Sequence, residues 1–181
     1  MYIAEELKKQ SISEYLLYLW QVEDTIRAYN LDADRMEKEY IPLFQLDDDQ
    51  KAKLKDWYES LIGMMHEEGV EEHGHLQVNK SIIIYLSDLH SQLLKSPKHP
   101  FYSAAYYKAL PFIVELRLKG EESRKKNEIE NCFDALYGMM LLRMQKKEIS
   151  AETAAAIDHI AHLIGLLSNY YKKEKAGELE L

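Results

Sequence analysis

Residues 13–29 read SEYLLYLWQVEDTIRAY, and this stretch decides the fold class. Tyr15, Leu19, Val22, Ile26 and Tyr29 recur at steps of four and three. On a wheel of 3.6 residues per turn these positions fall within about 80° of one another. Leu16 and Trp20 widen the stripe on one side. Ser13 reads as the N-cap. Strict apolar/polar alternation, the mark of a half-buried strand, is absent here and elsewhere in the chain.

The same period continues outward. Asn30 and Asp32 mark a stop and a new start, followed by a short helix carrying Met36 and Tyr40 and ending near Pro42. Asp47 with Gln50 three residues on forms a capping-box pattern. It opens a helix with Leu54, Tyr58, Leu61 and Met65 on one face, closed or kinked at Gly69 and Gly74. A further helix over 78–95 carries Ile82, Leu86, Leu89 and Leu93. Pro97 and Pro100 interrupt the pattern, since two prolines three apart do not fit a helix interior. An aromatic helix over 101–119 follows, with Pro111 expected to kink it or to begin its second half. Next comes a helix over about 122–147, with Ile129, Phe133, Leu136 and Met140 inward. The last is capped by Ser150 and striped by Ile157, Ile160, Ile164 and Leu167.

The expectation is therefore an all-α, single-domain bundle of six to seven amphipathic helices spanning residues 1–181. Residues 96–100 are a possible break between sub-bundles, and residues 172–181 read as a frayed, charged tail.

Composition narrows the function classes. The chain has 181 residues, 23 basic against 31 acidic side chains, and a net charge of −8. With a pI near 5.4 it lacks the basic surface of a nucleic-acid binder. Its lysine clusters at 146–147 and 172–175 sit at helix C-termini, where cations complement the dipole. The longest apolar run, Ala109–Val114, falls far short of the ~20 residues of a membrane span. The lone Cys132 cannot form an internal bridge and reads as a small buried hydrophobe. With no signal-peptide pattern, the expected location is cytoplasmic.

Chemistry-bearing residues concentrate in His66–His75, read HEEGVEEHGH. His66, Glu72, His73 and His75 are the residue types that hold divalent metals. Glu72 and His75 have the Glu-x-x-His spacing of di-iron bundles, but a second such pair is missing. The plainer reading is a solvated helix end, and no cofactor is expected. His90 lies beside Leu86 and Leu93 and reads as a boundary histidine with a satisfied hydrogen bond. His159 and His162 fall off the apolar face of the last helix. Glu23, at the edge of the first stripe, calls for a partner. Arg27, four residues on, is the expected one, with a tyrosine hydroxyl as the alternative. Thirteen tyrosines point to polar seams, and Tyr170 and Tyr171 to a possible interface. Phosphate-loop, dinucleotide, zincin, nucleophile-elbow and C-x-x-C patterns are all missing.

The run ISEYLLYLWQVEDTIRA over Ile12–Ala28, together with Gly74-His75-Leu76, resembles an uncharacterised bacterial family, a domain of unknown function about as long as this chain. The resemblance implies an all-helical fold and carries no assigned activity. The functional expectation is association with a second copy or another protein, with no membrane partner; nucleic-acid binding through the lysine-rich helix ends is a third and weaker reading. The alternative is a metal-dependent enzyme or small-ligand binder whose site lies inside the bundle.

Overall fold

The computed structural model describes residues 1–181. It is all-helical, with nine α-helices and one 3₁₀ turn: α1 (Tyr2–Gln10), α2 (Ile12–Ala28), α3 (Ala33–Glu39), the 3₁₀ turn (Ile41–Leu43), α4 (Asp48–Glu67), α5 (Gln77–Lys95), α6 (Pro100–Leu118), α7 (Glu121–Lys125), α8 (Glu128–Met144) and α9 (Ala151–Lys175). The expected six to seven becomes nine for two local reasons. The N-terminal decapeptide forms α1, with Glu5 in its first turn and Lys8 and Lys9 in its last. The helix read across 122–147 is split, because Lys126 is extended (φ −75°, ψ 151°). Asn127 then caps α8 by accepting the Glu130 N–H at 2.8 Å.

Several caps stand where the sequence put them. Asp47 and Gln50 form the reciprocal capping box. Asp32 accepts the Arg35 N–H at 2.9 Å, and Ser150 the Thr153 N–H at 3.1 Å. Ser13 is different. Helix α2 begins at Ile12, so Ser13 lies in its first turn and donates its own N–H to the Ser168 hydroxyl at 3.4 Å. A serine of α9 thus serves a first-turn donor that no residue of α2 can satisfy. Helix α6 runs through Pro111 as one element.

Helix ends follow one pattern. After α2, α4, α8 and α9 the chain turns left-handed at Asn30, Gly69, Lys146 and Gly177, with φ between 54° and 72°. In each case two N–H groups reach back to the last-turn carbonyls. Val70 N–H donates to Met65 O (3.0 Å) and Gly69 N–H to His66 O (3.3 Å). Lys147 N–H donates to Leu142 O and Lys146 N–H to Arg143 O, both at 3.0 Å. These are Schellman closures, three of them on glycine or asparagine and one on lysine.

The residues form two compact units. One is Met1–Gln10 with Glu14–Ser81; the other is Ser11–Ser13 with Ile82–Leu181. The division falls inside α5, whereas Ser96–Pro100 lies within the second unit, between α5 and α6. The first unit is centred on Val22, Ile26, Met36, Ile41, Leu54, Tyr58, Met65 and Leu76. In the second, α6, α8 and α9 pack on one another. They bury Ala109, Ile113, Phe133, Ile160, Leu163 and Leu167. The C-terminal segment is anchored rather than frayed. Helix α9 reaches Lys175, and beyond it the Glu180 carbonyl lies 2.8 Å from His99 Nε2.

Candidate functional site

Glu23 is the one carboxylate taken fully into the protein, at 1% exposure. Helix α2 places it at the edge of its apolar stripe, facing the start of α5. There three donors converge on it. The Leu76 N–H donates to Oε1 at 2.9 Å, and Asn79 Nδ2 donates to the same oxygen at 2.6 Å. His75 Nδ1 lies 2.6 Å from Oε2. The His75 ring is stacked on Trp20, centroids 4.1 Å apart and planes 11° apart.

The arrangement has a local cause. The residue preceding α5 is Leu76, whose side chain cannot cap. Glu23 accepts its N–H from another helix, as an N3 glutamate does in a capping box. Glu68 accepts the next N–H, that of Gln77, at 2.6 Å. Two carboxylates at a helix N-terminus are favoured by its dipole. A buried carboxylate without such partners would cost several kcal/mol, on the order of ~3–5.

Arg27 does not pair with Glu23. Its Nη1 donates to Asp24 at 2.8 Å, and its Nη2 to the carbonyls of Val70 (3.0 Å) and Gly74 (2.6 Å). It clamps the loop between α4 and α5. Gly74, at φ 87°, supplies the left-handed turn that delivers His75 to Glu23. The expected pair is thereby replaced by two separate jobs, a buried acid held by α5 and an arginine holding the loop.

Of the four metal candidates only His75 enters this cluster. His66 is exposed and meets Glu71 at 3.2 Å. Glu72 and His73 are exposed. No three His, Cys, Asp or Glu side chains gather in a metal-holding group. Sequence reasoning missed Trp20, Leu76 and Asn79. The one available signal was an acidic residue, Glu23, on the border of an apolar stripe.

A cavity of about 360 Å³ opens beside this cluster. Ala4 and Lys8 of α1, Leu19 and Val22 of α2, Trp57 and Leu61 of α4, and Leu76 and Val78 line it, with Glu23 and Asn79 also in its wall.

The second unit holds a polar seam. His90, buried, lies with Nδ1 2.6 Å from the Tyr102 hydroxyl. Its Nε2 is 3.9 Å from Glu128, to which the Tyr106 hydroxyl donates at 3.0 Å. Burial lowers the His90 pKa, an effect Glu128 partly offsets. Burial first, and then Glu128, push the Cys132 thiol up to about 12. The thiolate, the reactive form, is thus disfavoured. His159 is stacked on Phe112.

Tyr170 and Tyr171 serve internal packing. Tyr170 meets Tyr102 and His99 edge-on, and Tyr171 meets Tyr85. The broad unpartnered apolar face is on α6 instead. Phe101 is 84% exposed, Tyr107 67%, Leu118 63% and Val114 47%; Ala104 and Pro111 are exposed with them.

No helix is long and apolar enough to cross a membrane. The chain matches no curated protein and no solved structure. Residues 1–178 match the model of the domain of unknown function DUF4924, and the chain belongs to that family.

Proposed function

We propose that this protein works by self-association, two copies pairing through α6. The observation that carries this reading is the exposed seam on that helix. Ala104, Tyr107, Pro111, Val114 and Leu118 follow one another at steps of three and four and lie within about 80° of arc. A water-facing helix does not ordinarily keep such a row, whereas a helix that seats on another does. Phe101 extends the seam at its N-terminal end.

Charge placement favours an antiparallel pair. Lys108 and Glu115 lie on the same flank of the seam, and like flanks meet when two helices run in opposite directions. A two-fold axis at Pro111 sets Ala104 opposite Leu118, small against large, and Lys108 beside Glu115 of the second copy. Such an interface is isologous and closed, which limits assembly to the dimer.

Sedimentation equilibrium at tens of micromolar tests this. The expected mass is twice that of the chain, with Val114→Asp returning a monomer of unchanged helicity. A wild-type protein that stays monomeric across that range would overturn the reading, as would a Val114→Asp variant that still dimerises.

A further inference from the structure

The cavity beside Glu23 belongs to the first unit, and nothing about α6 bears on it. Its walls are mostly apolar: Ala4, Leu19, Val22, Leu61, Leu76 and Val78, with Trp57. Its volume of about 360 Å³ lies within the range of small-molecule sites. One wall holds Asn79, only 2% exposed.

The two ends of that amide are in unlike positions. Nδ2 is committed to Glu23 Oε1 at 2.6 Å, and since a carboxylate accepts, this fixes which end is the NH₂. Oδ1, the other end, is buried with no hydrogen-bond partner in the protein. A buried carbonyl without a donor is costly, and such orphans call for a specific explanation. Glu23 itself already takes three donors, which leaves Oδ1 as the acceptor of this pair without one. Among the lining groups two are acidic, Glu5 and Glu23, against Lys8 and the α-amino group of Met1, whose pKa burial pulls down to about 5. The Lys8 ammonium sits over the Tyr15 ring at 5.6 Å.

We propose that this cavity binds a small amphiphile with an apolar body and a protonated amine as its head. The body fills the space between α1, α2 and α4. The ammonium donates to Asn79 Oδ1, where the neighbouring carboxylate favours a positive charge. A hydroxyl head meets the same acceptor without the charge attraction and binds more weakly. A carboxylate head meets no donor at Asn79 Oδ1 and lies beside the Glu23 carboxylate there, so the Oδ1 end of the cavity rejects it.

Titration of the full chain with hexylammonium, hexanol and hexanoate tests this, followed by amide chemical shifts and melting temperature. Hexylammonium is expected to shift the amides of Val78, Asn79 and Leu19 and to raise the melting temperature. Hexanol should do so at higher concentration and hexanoate not at all. Asn79→Leu removes the acceptor and should weaken hexylammonium binding by about tenfold or more. Should that variant fail to fold, Val78→Trp, at a half-exposed position, fills the cavity and should abolish binding of hexylammonium and hexanol. Hexanoate binding as tightly as hexylammonium would overturn the proposal. So would binding that survives Val78→Trp, or the absence of any shift from hexylammonium at millimolar concentration.

Discussion

His75 lies flat on Trp20 with its Nδ1 2.6 Å from Glu23, so one imidazole closes a helix–loop junction by stacking and by hydrogen bonding at once. The stacking orients the ring, and the orientation points Nδ1 at the acid. Substituting His75 by Ala therefore removes both interactions and leaves Glu23 with the Leu76 and Asn79 donors. The expected cost in urea denaturation is ~1.5–3 kcal/mol. Glu23→Ala should cost more, ~3–5 kcal/mol, because it strands the buried Leu76 and Asn79 donors together with the partly buried His75. A Glu23→Ala variant as stable as wild type would show that the cluster contributes nothing to folding.

Lys146 holds a left-handed backbone at the end of α8 that glycine holds after α4 and α9. A side chain there costs roughly 1 kcal/mol relative to glycine. Lys146 is exposed. Lys146→Gly should raise stability by ~0.5–1 kcal/mol, whereas Gly69→Ala should lower it by ~1 kcal/mol. Melting temperatures moving in opposite directions would be the signature.

His90 makes stability depend on pH in a defined direction. Its folded pKa is lowered by burial, so below the ordinary histidine range the unfolded chain binds a proton that the folded chain refuses. Stability contributed by this site is present above pH ~6.5 and falls as pH drops below it. The neighbours on α6 and α8 are Tyr102, Tyr106 and Glu128. The tyrosines are shifted upward, Tyr106 to about 12, and stay neutral through this window. Denaturation of His90→Asn and wild type between pH 5 and 8 should show the flatter profile in the variant.

Cys132 should be silent in the folded protein. It is fully buried and its thiol is held protonated. Labelling with an aromatic disulfide at pH 8 should proceed only as fast as the protein opens, and accelerate in denaturant. Rapid stoichiometric labelling of the native chain would contradict the burial.

The α6 seam gives a charge-swap test. Lys108→Glu should weaken the dimer by setting two acids beside each other across the axis, and adding Glu115→Lys should restore it. Mass distributions of the single and double variants distinguish this pairing from a generic hydrophobic contact, which the swap would leave unchanged.

The helices themselves were legible because their causes are local. The stripe from Tyr15 to Ile26, the capping box at Asp47 and Gln50, and the caps at Asp32 and Ser150 each involve residues within a turn or two of one another. The break at Lys126–Asn127 was hidden inside an otherwise continuous apolar period, and α1 carried too short a pattern to declare itself. The anchoring of residues 180–181 depends on Lys98 and His99, which no reading of the tail alone could supply.

The sequence by itself determined that this chain is helical, which faces of its helices are oily, and that Glu23 needed a partner. Tertiary structure alone decided the partner. Helical periodicity offered Arg27, four residues away, but His75 and Asn79 lie 52 and 56 residues further along. The physical reason is that Arg27 is taken by Asp24 and by the loop carbonyls of Val70 and Gly74, whereas the start of α5 presents N–H groups that the Glu23 carboxylate meets from a neighbouring helix. Hydrophobic period is written within a helix; the meeting of two helix ends is written only in how they pack.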